Sequence, residues 1–167
     1  MKPLIRLVLL SFAFAGLSLS AQVRSTLSLT GAPGPLKPGD KFTAKVTVEI
    51  DSGWHISSLT TPDGGPVRTG ITLAKGTPFK LAGKIQAPEP QREHSKAFGV
   101  DVETHEDEVV FTLPLEATES IKTDSLLNVE ITYQACAEET CLLPKTEQLT
   151  APILPKAEKK EPAKPKT

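Results

Sequence analysis

The chain has 167 residues, with 19 lysine and arginine residues against 20 aspartate and glutamate residues. The charge is uneven, because residues 22–154 hold 12 basic and 18 acidic residues, a net charge of −6, whereas residues 155–167 are rich in lysine. An acidic body argues against nucleic acid as a partner, since phosphate contacts depend on clustered lysine and arginine. The length suits one domain with its own hydrophobic core.

The first 21 residues have the pattern of a secretory signal peptide. Lys2 and Arg6 precede an apolar run over residues 7–19, and small residues follow up to Ala21. The run has about 13 residues, fewer than the roughly 20 that a membrane-spanning helix needs. We therefore expect cleavage after Ala21 and a soluble exported protein, with an uncleaved N-terminal anchor as the alternative.

Two segments alternate between apolar and polar residues with the period of a half-buried strand. They are KFTAKVTVEI, residues 41–50, and LLNVEITYQ, residues 126–134. Weaker strand patterns cover residues 23–29, 54–59, 69–73, 79–85, 109–115 and 147–153. Proline and glycine between these segments set turns. Short strands at this spacing predict an all-β, antiparallel sandwich over residues 22–154, followed by a disordered Lys/Pro-rich tail at residues 155–167.

The only two cysteines of the chain, Cys136 and Cys141, lie in the segment ITYQACAEETCLLP, residues 131–144. Export permits a disulfide between them. Closing so short a loop stabilises a fold by only about 2 kcal/mol in the chain-entropy model, compared with about 4.7 kcal/mol for a hundred-residue loop. Two cysteines five positions apart do not link two sheets of a sandwich. On these grounds a structural bridge and a redox-active pair stay equally open.

A metal site is a third interpretation of the cysteine pair. Zinc usually takes four Cys or His ligands, and His55, His94 and His105 stand at no spacing typical of such a site. Two thiolates could bind copper(I), although the mature chain has no methionine to assist them. We predict neither a metal nor an organic cofactor. Because the sequence shows no partner residue for His55, we assign it no catalytic role.

The residues between the cysteines include Glu138 and Glu139, which bear on the direction of thiol exchange. An attacking thiol usually has a pKa lowered by a neighbouring cation or a helix N-terminus, whereas nearby carboxylates disfavour a thiolate. We therefore predict that the oxidised pair mainly receives attack from a partner's thiolate. The reduced pair would pass electrons on only inside a docked complex.

Three segments resemble one known family. YQACAEETCLLP, residues 133–144, resembles the cysteine segment in the N-terminal periplasmic domain of DsbD-type thiol:disulfide interchange proteins. DSGWHISSLTTPDGGPVRT, residues 51–69, is similar to a segment found in many members. HSKAFGVDVETHEDEVVFTLPL, residues 94–115, resembles the segment in which an aromatic-glycine pair precedes a strand. The order and spacing of the matches extend the resemblance over residues 40–153.

The resemblance implies an immunoglobulin-like β-sandwich of about seven to nine short strands. The cysteine pair would lie in a hairpin near one end, under a cap loop. By position, Cys141 corresponds to the cysteine that forms mixed disulfides with partners, and Cys136 corresponds to its resolving mate. Phe98 is the candidate cap residue that shields the sulfurs, and Tyr133 and Gln134 would lie beside the pair.

The resemblance also implies a place in a periplasmic electron relay. Family members take electrons from a membrane-embedded transporter through a thioredoxin-like domain and hand them to periplasmic disulfide isomerases or related oxidoreductases. Full-length DsbD continues into membrane helices and a thioredoxin-like domain, so we expect this sequence to be a separate subunit or a fragment. The alternative function is a β-sandwich interaction domain with a purely structural disulfide.

Overall fold

The computed structural model describes residues 22–30, 35–96, 98–122, 125–138 and 140–153. The predicted signal peptide, residues 1–21, and the predicted tail, residues 155–167, lie outside them. Within the described residues the chain forms eleven β-strands. No helix in this part of the chain is long and apolar enough to cross a membrane.

The strands form three antiparallel sheets. In spatial order, the first sheet consists of β1 (Val23–Thr30), β2 (Lys41–Ile50), β8 (Glu108–Ala117) and β5 (Phe79–Leu81). The second consists of β11 (Lys145–Pro152), β9 (Leu126–Tyr133) and β4 (Gly70–Leu73). The third consists of β10 (Ala135–Cys136), β3 (His55–Ser57), β7 (Val100–His105) and β6 (Gln91–Ser95).

The core lies between the first and second sheets. Every second residue of β2 and of β8 is buried, and the register pairs Val46 with Phe111, so the apolar residues of both strands share one face. Val129 and Ile131 of β9 join the same cluster from the second sheet. The two sheets therefore pack face to face, and the predicted all-β, immunoglobulin-like sandwich is confirmed.

The strands of this sandwich match the sequence predictions closely. The prediction for residues 41–50 coincides with β2, and the one for residues 126–134 exceeds β9 by one residue. Each of the six weaker predictions overlaps one strand. The chain has more strands than the seven to nine expected, because β6, β7 and β10 were not predicted individually. All three belong to the third sheet, where fewer apolar residues are buried and alternation is correspondingly weak.

Candidate functional site

The two cysteines lie on opposite arms of a tight turn, which we call the cysteine hairpin (residues 135–142). Reciprocal backbone hydrogen bonds between Ala137 and Thr140 close this turn. Cys136 and Cys141 stand opposite each other as the next pair of the hairpin. Their Cα atoms are 4.0 Å apart, and their sulfurs form a disulfide with a 2.04 Å bond. The pair is therefore held within one hairpin and does not join two sheets.

The two halves of the disulfide differ in access. Cys136 lies in β10, paired to β3 inside the third sheet, and is only 2% exposed. Cys141 follows the turn on the outer arm and is half-buried. A protein approaching the disulfide therefore meets Cys141 before Cys136.

A cleft of about 670 Å³ opens beside the disulfide, and both cysteines line it. Trp54 and His55 contribute one wall from the beginning of β3. Trp54 also packs against the hydrophobic core, so the only tryptophan of the chain reaches both regions. The cleft is therefore built on the third sheet, on the side that carries the cysteine hairpin.

The β6–β7 loop brings Phe98 to this cleft. The Gly99 N–H donates to the Ser95 carbonyl at 2.7 Å, and Gly99 has a φ of 68°, a backbone conformation that favours glycine. Phe98 precedes that glycine and lines the same cleft as the cysteines while remaining 42% exposed. The fold therefore brings Phe98 together with Cys136 and Cys141, which lie far from it in the sequence.

Acidic side chains dominate the charge around the cleft. The carboxylate residues that line it are Glu93, Glu106, Asp107 and Glu138, and Lys96 lines it with an ammonium group. Carboxylates disfavour a thiolate. The sequence predicted this effect from Glu138, and the carboxylates on β6 and on the β7–β8 turn act in the same direction. Among the described residues, no group of three or more His, Cys, Asp and Glu side chains is arranged to hold a metal ion.

Gln134 connects the cysteine hairpin to the β3–β4 loop, residues 58–69. Its side-chain Nε2 donates to the Leu142 carbonyl at 2.9 Å, and its Oε1 accepts from the Val67 N–H at 2.7 Å. One amide thus fixes the outer arm of the hairpin and the loop in a single arrangement. The position that the sequence predicted to lie beside the pair is a structural clamp.

The β3–β4 loop is itself fastened to β7 by a polar network around Glu103. The Thr60 and Ser58 hydroxyls donate to the Glu103 carboxylate, and Arg92 forms an ion pair with it. The hydrogen bond from Thr60 is the largest of the effects that lower the pKa of Glu103. The Thr61 hydroxyl also accepts from the Glu103 N–H at 2.9 Å. Side-chain hydrogen bonds therefore position this loop.

Tyr133 precedes Gln134 but does not line the cleft with the cysteines. Its side chain is buried in the core, and its hydroxyl donates to the Glu147 carboxylate at 3.1 Å. Burial, and then the negative charge of Glu147, raise the pKa of Tyr133. It is therefore next to the pair in sequence, with its side chain directed into the sandwich.

Two groups of residues at the site were not predicted from the sequence. His55 is the strand partner of Cys136 and lines the cleft, although no pattern in the sequence connects the two positions. Leu142 and Leu143 are exposed directly after Cys141, and Leu143 is 89% exposed. A consecutive pair of leucines in a polar segment was the signal that could have identified a contact surface.

Comparison with known proteins identifies a family for this chain. The family model described as the N-terminal part of the thiol:disulfide interchange protein DsbD matches residues 32–152. The chain belongs to this family. The DsbD N-terminal match therefore begins after β1 and includes β2 to β11 with the cysteine hairpin.

A solved structure shares the fold at low sequence identity. The N-terminal periplasmic domain of ScsB from Proteus mirabilis is 20% identical, with a TM-score of 0.54, and the match covers 80% of this chain and 47% of that one. The chain thus spans about half the length of that structure. The reduced DsbD N-terminal domain of Neisseria meningitidis is 14% identical, with a TM-score of 0.47 and coverage of 70% and 78%, respectively. No curated protein sequence matches the chain.

Proposed function

We propose that this domain is a periplasmic thiol-disulfide exchange module that relays electrons through the Cys136–Cys141 pair. The donor would be a thioredoxin-like protein or domain supplied by a membrane electron transporter. The acceptor would be an exported protein of the disulfide isomerase type. One observation carries the proposal: a disulfide between a half-buried and a buried cysteine lines a cleft in a domain of the DsbD N-terminal family. The two sulfurs hold both electrons, so the exchange needs no cofactor.

The unequal burial of the sulfurs supports distinct roles for the two cysteines. Thiol exchange requires the attacking thiolate to reach one sulfur of the disulfide. Cys141 is half-buried and is therefore the residue that we assign to mixed disulfides with partners. Cys136 is 2% exposed, which suits a resolving cysteine that reacts only with Cys141.

The stability of the sandwich argues against a bridge kept only for folding. The disulfide closes a loop with a sequence separation of five, for which chain entropy gives only about 2 kcal/mol. Most of the apolar core lies between the first and second sheets, and the third sheet adds Ile56 and Ala135 to it, whereas Cys136 is not part of that core. A bridge of this size at this place adds little to the fold, so exchange chemistry accounts better for it.

Exposed apolar residues next to Cys141 supply a surface on which a protein partner would dock. We call Val67, Leu142 and Leu143 the apolar collar; each is an exposed large hydrophobic residue. Gln134 hydrogen-bonds the backbone of both Val67 and Leu142, so these parts of the collar are held together. An apolar centre with a charged rim is typical of protein–protein interfaces, and the carboxylates of the cleft supply the rim.

A matched pair of single-cysteine variants tests this proposal. The partner is a single-cysteine thioredoxin whose thiol is activated as a mixed disulfide with a small leaving group. We expect Cys136→Ala, which keeps the accessible Cys141, to form a stable mixed disulfide with this thioredoxin. Cys141→Ala, which keeps only the buried Cys136, should form that complex far more slowly. Non-reducing electrophoresis of timed samples measures both rates.

The reduction potential of the wild-type pair provides the independent check. Structural disulfides usually lie below about −300 mV, and exchange-active ones lie above that value. We expect equilibration with thioredoxin to place this pair above it. A potential well below −300 mV, together with no mixed disulfide from Cys136→Ala, would instead support the interaction domain with a structural bridge.

Phe98 is proposed as the cap of the pair, because it lines the cleft on a loop facing the cysteine hairpin. Its 42% exposure leaves it free to move when a partner docks. We expect Phe98→Ala to speed alkylation of the reduced protein by iodoacetamide, since the apolar ring that limits access is lost. Leu81→Ala, at a similarly exposed residue of β5 on the first sheet, serves as the control. Equal alkylation rates for Phe98→Ala and the wild type would disprove the cap assignment.

A further inference from the structure

His55 lies beside the buried half of the disulfide. In the pairing of β10 with β3, Cys136 stands directly opposite His55. Side chains of directly opposed residues lie on the same face of a sheet, with Cβ atoms about 4.5–5.5 Å apart. Both residues also line the cleft, so His55 and Cys136 are neighbours on its surface.

The surroundings of Cys136 make a negative charge on its sulfur costly. The sulfur is buried, and burial disfavours a thiolate. The carboxylate residues that line the cleft, Glu93, Glu106, Asp107 and Glu138, disfavour it further. The other lining groups that can be cationic are Lys96 on the β6–β7 loop and His94 on β6, which is paired with Asp101. Of these three residues, His55 is the one that lies on β3, directly opposite Cys136.

We propose that His55 exchanges a proton with Cys136 during thiol exchange, an inference that rests on the proposed function. During loading, a donor thiolate attacks the Cys141 sulfur. A bond forms between the donor and Cys141, the bond between Cys141 and Cys136 breaks, and the electron pair leaves on the Cys136 sulfur. The His55 imidazolium gives that sulfur its proton. The donor's second thiolate then attacks the donor's own sulfur and releases Cys141.

During delivery the proton moves in the opposite direction. The Cys141 thiolate attacks the disulfide of an acceptor and forms a mixed disulfide, releasing one acceptor sulfur. Neutral His55 takes the proton from the Cys136 thiol, whose thiolate attacks Cys141 and releases the second acceptor sulfur. Two electrons pass from donor to acceptor, and His55 ends in its starting state. Imidazole suits this role because it is the side chain that ordinarily changes charge between pH 5 and pH 8.

The test measures reduction of the oxidised protein by dithiothreitol as a function of pH. Fluorescence of Trp54, which lines the cleft, reports the reaction. Each second-order rate constant is divided by the fraction of dithiothreitol present as thiolate, which removes the ionisation of the reductant. The ratio of the wild-type rate constant to that of His55→Gln should rise to about tenfold as the pH falls from 8.5 to 5.5. A neighbouring cation lowers a thiol pKa by roughly one to three units. The logarithm of the exchange rate constant changes by about half of that pKa shift.

Two further variants separate proton exchange from a merely structural role. His94→Gln removes the other histidine of the cleft and should leave the wild-type pH profile unchanged. His55→Lys keeps a cation throughout this range and should hold the corrected rate constant high and independent of pH. If His55→Gln does not fold, the pH dependence of the corrected rate constant of His55→Lys tests the proposal. A His55→Lys rate constant that still follows the wild-type pH dependence would overturn it.

A ratio between wild type and His55→Gln that stays constant with pH would also overturn it. That result is distinguishable from failure of the proposed function. The exchange function fails only if the wild-type potential is that of a structural bridge and Cys136→Ala forms no mixed disulfide.

Discussion

The sandwich and the third sheet are stabilised in different ways. The first two sheets bury alternate apolar side chains of long strands such as β2, β8 and β9. The third sheet consists of strands of two to six residues, and β6 is almost fully exposed. Among the residues that the structure describes, the buried polar ones belong to that sheet or to the adjoining β3–β4 loop: Ser57, Ser58, Thr61, Thr69, Thr104 and His105.

This difference separates stability from chemistry within one domain. Apolar burial in the sandwich supplies the free energy of folding, while side-chain hydrogen bonds give the third sheet and its loop a defined shape. The proposed exchange site gains from this division, because its surface can stay polar and open. Substitutions in the two regions should therefore have different consequences.

The largest expected effect comes from the sandwich core. Leu113 of β8 is fully buried, so Leu113→Ala removes apolar contacts and leaves a cavity. We expect a loss of about 3 kcal/mol in the free energy of unfolding, within the range for such substitutions, measured by urea denaturation. The rate at which dithiothreitol reduces the disulfide should not change while the protein is folded.

Leu143→Ala is the matched control, because Leu143 is exposed in the apolar collar. Its free energy of unfolding should stay within about 0.5 kcal/mol of the wild type. Its reaction with reduced thioredoxin should slow, since docking area is lost. If Leu143→Ala were as destabilising as Leu113→Ala, the division between core and site would be wrong.

A smaller effect is expected from pH, through the third sheet. His105 of β7 is 6% exposed, and its Nε2 has no hydrogen-bond partner among the described residues. Burial lowers the pKa of His105, although nearby Glu103 acts in the opposite direction. The unfolded chain therefore binds the proton first. The contribution of neutral His105 to the free energy of unfolding is complete above the unfolded pKa of about 6.5. It declines as the pH falls below that value.

The measurement is the free energy of unfolding between pH 7 and pH 5. A single linked proton contributes at most about 1.4 kcal/mol per pH unit, and we expect a decline smaller than that. His105→Phe should flatten the dependence, whereas the exposed His94→Gln should keep it. Equal slopes for the wild type and His105→Phe would show that other groups determine the pH dependence.

The same division explains what the sequence could predict. Alternation identified β2 and β9 because one face of each strand packs against an apolar core. Every second residue of these strands is therefore apolar, which the sequence shows directly. It did not identify β6, whose sequence QREHS is almost fully exposed. A polar edge strand leaves no periodic signal, since neither of its faces needs to be apolar.

The cysteine pair and its partners show the same contrast. Two cysteines close together in a chain predicted to be exported indicate a disulfide without any knowledge of the fold. The position of His55 opposite Cys136 depends on the pairing of β3 with β10, two short strands from distant parts of the sequence. The two contacts of Gln134 depend likewise on a loop far from it in the chain. Neighbours of this kind follow from tertiary structure.

The smallest expected effect concerns the clamp at Gln134. Gln134→Leu removes the bonds to Leu142 and Val67, and each such hydrogen bond contributes about 1 kcal/mol or less at a partly exposed site. The global free energy of unfolding should therefore change by only about 1 kcal/mol. The local effect should be clearer, because the outer arm of the hairpin loses its only side-chain tie to the β3–β4 loop among the described residues.

Hydrogen exchange of individual amides measures that local effect. The Leu142 N–H, which donates to the Ala135 carbonyl, should exchange faster in Gln134→Leu, while the core amide of Val46 should not. Gln148→Leu is the control, since it removes one exposed hydrogen bond to Glu130 on the second sheet. If both variants changed Leu142 exchange equally, Gln134 would be an ordinary surface residue. Faster exchange confined to the cysteine hairpin would show that this hairpin opens independently of the sandwich, as its attachment through the Gln134 side chain implies.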